Sequence, residues 1–135
     1  MNTISNMTGA GAAFDQLEQF IGAAQAECMA DMCRTEEKQF MYNKLAELVN
    51  TISTMPKTYE TDGQGKAAMA HLHYFIGGCD WYITERDMEH EQIQAFGLAD
   101  LGHGGELGYI SLQEITSAGA ELDLYWTLKP LSECE

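Results

Sequence analysis

Basic residues are scarce in this sequence. It has seven Lys and Arg but 21 Asp and Glu, which gives a formal net charge of −14 over 135 residues. Nucleic-acid binding depends on Lys and Arg side chains that neutralise phosphates, so the composition argues against nucleic acid as the direct ligand. It also argues against an anionic membrane surface. A basic groove on a protein that itself binds nucleic acid would, in contrast, attract so acidic a chain.

Signals for export and membrane insertion are also missing. Residues 1–6 have neither the basic nor the apolar region of a secretory signal, and no apolar run approaches the roughly 18 residues of a membrane span. The four cysteines form no CxxC motif. We therefore expect a cytoplasmic protein with reduced thiols. The length predicts a single domain over residues 1–135, and a hydrophobic content of 45% is enough for a core.

Two apolar stripes with helical spacing occupy the first half of the chain. One covers residues 14–32 and the other residues 41–52, and the two are out of phase. We therefore expect a break within residues 33–37, where Thr35 and the acidic residues after it favour a helix start. Pro56 is expected to end the second helix. Two helices with a short joint predict an antiparallel helical hairpin.

The second half changes to the period-2 alternation that is typical of strands. Strands are predicted at residues 71–76, 81–84, 95–101, 107–111 and 121–128. Gly77 and Gly78 predict the first turn between them. The run from Ser111 to Glu114 matches a capping box, so we expect a short helix there that stops by Gly119.

These elements predict an α+β fold. The helical segment, residues 13–55, would pack as a hairpin on a mostly antiparallel four- to five-stranded sheet within residues 66–135, since the strands follow one another without long crossovers. The sheet residues expected to be buried are Leu72, Tyr74, Ile76, Tyr82, Leu107, Tyr109, Leu122 and Leu124. The apolar stripes are long for a short sheet, so either the helices bury the surplus against each other or a second copy covers it. We expect mutual burial with a weak tendency to form a homodimer, because the charge opposes association.

Carboxylates recur at every second position after the second predicted strand, from residue 85 to residue 91. We interpret this stretch as an exposed hairpin end that contacts a basic partner. The predicted partner-binding residues are Glu85, Asp87, Glu89, Glu91, Asp100 and Glu106. Paired carboxylates act as acid and base only when their surroundings separate their pKa values, and nothing in the sequence indicates such surroundings. No catalytic residue is therefore predicted.

His71 and His73 are two positions apart on a predicted strand, so both imidazoles would lie on one face, as in some metal sites. No third ligand has a diagnostic spacing, so no metal or other cofactor is predicted. The glycine-rich segments lack the Lys-Ser/Thr of a phosphate loop, and no serine lies in a GxSxG elbow. A metal-assisted or hydrolytic enzyme that uses these histidines and loop carboxylates is the alternative function.

Several short motifs in the second half resemble one family when they are taken together and in order. They are Asp80-Trp81-Tyr82-Ile83-Thr84-Glu85, Ala95-Phe96-Gly97, Asp100-Leu101-Gly102, Glu106-Leu107-Gly108-Tyr109-Ile110-Ser111-Leu112, Asp123-Leu124-Tyr125 and Lys129-Pro130-Leu131-Ser132. Over roughly residues 70–134 the chain is similar to the domain of unknown function 2958 family. That family has no agreed catalytic residues, and it usually has only a short helical lead, so the resemblance implies that residues 13–55 are a specialisation.

The same resemblance implies a setting in plasmid, phage and other mobile-element genes. With the charge, it predicts a small acidic binding protein that inhibits a host defence complex, such as CRISPR–Cas or a restriction system, by occupying a basic nucleic-acid-binding surface. The expected partner is a basic host protein or nucleoprotein complex. A helix-mediated protein-interaction module is a third interpretation.

Overall fold

Three helices precede the sheet in the computed structural model, which describes residues 3–134. They are α1 (Met7–Leu17), α2 (Ala23–Met32) and α3 (Lys38–Thr54). The Asn6 side chain accepts a hydrogen bond from the Gly9 N–H and caps α1. As predicted, α3 ends just before Pro56.

The first apolar stripe is divided between two helices, where the spacing predicted one. The chain turns at residues 18–22, and the N–H groups of Phe20 and Ile21 both donate to the Leu17 carbonyl. The side chains of Leu17, Phe20 and Ile21 are all buried, so the apolar stripe continues through the turn. The spacing of apolar residues therefore does not show that the helix ends there. The predicted break at residues 33–37 is confirmed, and there the Thr35 hydroxyl accepts from the Glu37 N–H.

The strands form one five-stranded antiparallel sheet and one two-stranded sheet. They are β1 (Met69–Ala70), β2 (Leu72–Ile76), β3 (Cys79–Glu85), β4 (Ala95–Asp100), β5 (Gly105–Ile110), β6 (Glu121–Leu122) and β7 (Lys129–Pro130). The large sheet has the order β5-β4-β3-β2-β6, and β1 pairs with β7. The predicted α+β class with a mostly antiparallel sheet is confirmed.

Two short segments after β5 differ in how well the sequence predicted them. Helix α4 (Leu112–Ser117) starts as the capping box predicts, with the Ser111 hydroxyl accepting from the Glu114 N–H. The strand predicted over residues 121–128 stops at Leu122. It stops because the Asp123 carboxylate accepts from the Tyr125 N–H and turns the chain.

One face of the large sheet packs on the helices. Tyr74 on β2 is fully buried there, and its hydroxyl donates to the Phe20 carbonyl at 2.6 Å. The sheet residues in this main core are Leu72, Tyr74, Ile83, Ala95, Ile110 and Leu122. Helix α2 is tied to the sheet edge by Gln25, whose side-chain amide exchanges two hydrogen bonds with the backbone of Leu122.

The other face of the large sheet is only partly covered. Ala70, Leu98 and Leu131 form a second, small core beside the β1–β7 pair and the short 3₁₀ helix at Leu131–Glu133. The remainder of this face is open, and we call it the open face. It carries the side chains of His73, Glu85 and Tyr109.

The set of sheet residues expected to be buried is corrected in part. Leu72, Tyr74 and Leu122 are buried, whereas Tyr82 and Leu124 are half-buried. The exposed members of the set are Ile76, Leu107 and Tyr109. On β5 the alternation was assigned to the wrong face, since Leu107 pairs with Leu98 and Tyr109 with Phe96, away from the helices.

No helix within residues 3–134 is long and apolar enough to cross a bilayer. Cys28, Cys33 and Cys79 are present as thiols. Burial raises the pKa of the Cys33 thiol, although the Arg34 charge partly opposes that shift.

Candidate functional site

A β-bulge between β3 and β4 shapes the open face. Ile83 pairs with Gly97 and Glu85 pairs with Phe96, so Thr84 is an extra residue on β3. A Cβ atom at Gly97 would lie 1.9 Å from the Tyr82 carbonyl oxygen, so only glycine fits there. The bulge interrupts the alternation, and the last three residues of β3 are all buried.

Glu85 holds a loop across the open face. Its side chain is only 3% exposed. One carboxylate oxygen accepts from the Tyr59 N–H at 2.8 Å, and the other accepts from both the N–H, at 2.8 Å, and the hydroxyl of Thr61. Tyr59 has a φ of +73°, a left-handed conformation that is rare for a bulky residue. These hydrogen bonds are strong because the acceptor is charged, and they fix the loop in this conformation.

The loop and the sheet enclose a cleft of about 400 Å³, which we call the tyrosine cleft. Its side walls and floor include Tyr59, Thr61, Asp62, Thr84, Glu85, Phe96, Leu107 and Tyr109. The Tyr109 hydroxyl donates to the Tyr59 hydroxyl at 3.1 Å, and the Tyr109 ring meets Phe96 edge to face at 5.7 Å. Tyr59 and Tyr109 nevertheless remain 61% and 57% exposed, so the cleft presents two aromatic side chains to solvent.

The electrostatics of the tyrosine cleft favour neutral phenols and positive ligands. The pKa of Tyr109 is raised, first by its hydrogen bond to Tyr59, then by desolvation and by the negative charges of Glu85 and Asp62. Tyr109 therefore stays protonated at neutral pH. The two carboxylates that oppose its ionisation would attract a cation in the same place.

A second group of side chains on the open face surrounds His73, and we call it the histidine cluster. The His73 ring lies between two carboxylates, with Nε2 at 2.8 Å from Asp80 and Nδ1 at 2.9 Å from Asp123. It stacks on Tyr82 at 4.8 Å and also contacts Trp126. Both ring nitrogens therefore lie within hydrogen-bond distance of a carboxylate oxygen. The cluster ties β2 and β3 to the segment after β6.

His71 lies beside this cluster, in a small pocket that Asp123 and Trp126 line together with Glu47 and Thr51 of α3. Burial lowers the pKa of His71 because it disfavours the charged imidazole. Within residues 3–134, no group of three or more His, Cys, Asp or Glu side chains could hold a metal ion. The alternative, a metal-assisted or hydrolytic enzyme that uses these histidines, stays a prediction.

The stretch that the sequence assigned to an exposed hairpin end is folded inward at two positions. Glu85 is buried as described, and Asp87 is 5% exposed. The Asp87 carboxylate accepts from the N–H groups of Glu89, Ile93 and Gln94 and so closes the loop between β3 and β4. The expectation of exposure is wrong for Glu85 and Asp87, because each has backbone donors that fix it inside a loop.

The other four predicted partner-binding residues reach the surface, and their binding role stays a prediction. Glu89, Glu91 and Glu106 are exposed, whereas Asp100 is half-buried and accepts from the Gly102 N–H. They do not form one patch. Glu89 and Glu91 lie in the loop that leads into β4, whereas Asp100 ends that strand, roughly 16 Å further at about 3.3 Å per residue.

Sequence reasoning did not find the tyrosine cleft. Gly63 and Gly65 predict only a loop over residues 61–65, and no motif singles out Tyr59 just before it. Tyr109 was assigned to the core. The available signal was a tyrosine within a polar, glycine-containing loop, because an aromatic side chain at such a position has no core to enter.

Comparison with known proteins identifies one family. The family model described as "Protein of unknown function (DUF2958)" matches residues 40–126. The chain belongs to the DUF2958 family. The match begins before the resemblance seen in residues 70–134, so the DUF2958 segment contains nearly all of α3, the tyrosine cleft and the histidine cluster. Helices α1 and α2 lie outside it. No curated protein and no solved structure matches the chain.

Proposed function

We propose that this protein binds a basic surface of another protein, of the kind that otherwise holds nucleic acid. The observation that carries the proposal is the net charge of −14 together with the exposure of most carboxylates. The exposed Asp and Glu residues are Asp15, Glu18, Glu27, Asp31, Glu36, Glu37, Glu47, Glu60, Asp62, Glu89, Glu91, Glu106, Glu114, Glu121 and Glu133. Such a surface has the charge sign of a phosphate backbone and is attracted to the same grooves.

The seven cations leave a large excess of negative charge, and two of them pair with neighbouring carboxylates. Arg34 pairs with Asp31, and Lys44 pairs with Glu47, in each case within a few residues along the chain. Surface pairs of this kind contribute little to stability. The excess carboxylates act mainly through the long-range negative field that they create.

In its finer form, the proposal is that the partner is a nuclease complex of host defence, such as a CRISPR–Cas or restriction system, encountered in the cytoplasm. An acidic protein in its groove would compete with nucleic acid for the same Lys and Arg side chains. Neither a metal nor catalytic chemistry is needed for this action.

The test is an affinity measurement against purified nucleases of these classes over a salt series. We expect the Kd to rise steadily with salt concentration, because the attraction is between charges that salt screens. We also expect nucleic acid to displace the protein from its partner. Salt-insensitive binding, or the absence of binding to every nuclease tested, would contradict the proposal.

A charge-matched pair of variants tests the residues. Each double variant removes two exposed carboxylates, so both change the net charge equally. The change of Glu89 and Glu91 to Gln should weaken binding more than the change of Glu36 and Glu37 to Gln, because only the first pair is predicted to contact the partner. The two sites are well separated. Glu89 and Glu91 lie in the loop between β3 and β4. Arg86 at the start of that loop donates to the Ile52 carbonyl near the end of α3. Glu37 lies at the other end of α3, roughly 22 Å from Ile52 at about 1.5 Å per residue. Equal effects would mean that the partner responds to net charge alone.

A further inference from the structure

The tyrosine cleft has two features that a long basic side chain requires. Its apolar part, formed by Leu107 and the rings of Tyr59, Phe96 and Tyr109, could cover a chain of methylene groups. The exposed faces of Tyr59 and Tyr109 could then hold a cation by cation–π attraction.

The charge of the cleft selects the sign of its ligand. Asp62 is exposed at its edge, and Glu85 lies at its base. The raised pKa of Tyr109 is caused first by its hydrogen bond to Tyr59, and the same two carboxylates make a smaller contribution in the same direction. The nearby lysines, Lys57 and Lys66, are not among the residues that line the cleft.

The cleft is also rigidly built. The three hydrogen bonds accepted by Glu85 hold the loop, and the contact between the Tyr59 and Tyr109 hydroxyls joins the loop to β5. A preformed site loses less conformational entropy on binding than a flexible one. The strained backbone of Tyr59 is thus stabilised by contacts that place its ring beside Tyr109.

We propose that the tyrosine cleft binds an arginine side chain of the basic partner, with the guanidinium against the phenol rings and near the Asp62 carboxylate. Arginine fits better than lysine because its planar group stacks on aromatic rings and is more weakly hydrated than an ammonium. This inference rests on the proposed function, since it names the group through which the partner is recognised.

The probe is the capped peptide acetyl-Gly-Arg-Gly-amide, and its control is the same peptide with citrulline, which has nearly the same shape but no charge. Backbone amide shifts of the ¹⁵N-labelled protein are followed during titration. We expect saturable shifts at Tyr59, Thr61 and Tyr109 with the arginine peptide and much weaker binding of the citrulline peptide.

Three variants locate the binding. Tyr109→Ala should weaken the arginine peptide about tenfold, as expected for the loss of a cation–π contact. Asp62→Asn, an exposed change that leaves the fold alone, should weaken it about threefold. Tyr125→Ala removes an exposed tyrosine outside the cleft and should change nothing.

Equal binding of the two peptides, shifts located elsewhere, or no effect of both cleft variants would overturn the arginine site. Nuclease binding that falls with salt but is unchanged by Tyr109→Ala would refute the site and leave the proposed function standing. Arginine-dependent shifts in the cleft, with no nuclease binding, would instead refute the proposed function alone.

Discussion

Tyr74 and Tyr109 lie on opposite faces of one sheet and serve different purposes. Tyr74 is fully buried against the helices, with its hydroxyl on the Phe20 carbonyl. Tyr109 is mostly exposed, and its hydroxyl donates to the hydroxyl of another exposed tyrosine, Tyr59. The first contributes to stability through burial, whereas the second leaves its ring available to a ligand.

This difference predicts unequal costs of truncation. Tyr74→Ala should lower the free energy of unfolding by about 3–5 kcal/mol, because it leaves a cavity and an unsatisfied carbonyl. Tyr109→Ala should lower it by about 1 kcal/mol or less, since only the edge contact with Phe96 and an exposed hydrogen bond are lost. Urea unfolding of both variants measures the two values. A large loss for Tyr109→Ala would mean that the side chain of Tyr109 packs in the core.

At the scale of helices and strands, the sequence predicted the features that depend on the local spacing of apolar and turn residues. The antiparallel sheet, α4 with its capping box and the break before α3 follow from spacing and turn residues. The bulge at Thr84 could not be predicted, because it depends on how β3 pairs with β4. The burial of Glu85 depends on Thr61, 24 residues away in the chain, so no local pattern contains it.

The pairing of β3 with β4 requires glycine at position 97, because any side chain there would collide with the backbone of β3. Gly97→Ala should destabilise the protein by about 3 kcal/mol or more, because the new Cβ would lie 1.9 Å from the backbone oxygen of Tyr82 and the strands would have to separate.

Gly108 provides the matched control. It pairs directly with Gly97, and a Cβ there meets nothing within 4 Å. Gly108→Ala should be neutral or stabilise by up to about 1 kcal/mol. Thermal unfolding of the two variants distinguishes the explanations. A steric requirement at Gly97 predicts that only Gly97→Ala loses stability, whereas a general need for glycine in this part of the sheet predicts that both variants lose it.

The whole molecule determines where the weak homodimer proposed from the sequence could form. The helical stripe assigned to that interface is partly buried within one subunit, since Leu17 and Ile21 are buried but Ala24 and Cys28 are exposed. Met7 is the large hydrophobic side chain that α1–α3 leave exposed within the described residues. The two edges of the large sheet differ in how well they are covered. Gln25 covers the backbone of β6, whereas β5 is an edge strand with Leu107 and Tyr109 exposed. Self-association is therefore expected through β5.

The two modes of association should depend on salt in opposite ways. Two copies of a chain with a net charge of −14 repel each other, so raising the salt concentration should strengthen a β5-mediated dimer while it weakens binding to a basic partner. Sedimentation at low and high ionic strength measures the first, and Leu107→Glu should abolish it, whereas the control Met7→Glu should not. A monomer at every salt concentration would leave the open face of the sheet entirely to the basic partner, because no second copy would compete for Leu107 and Tyr109.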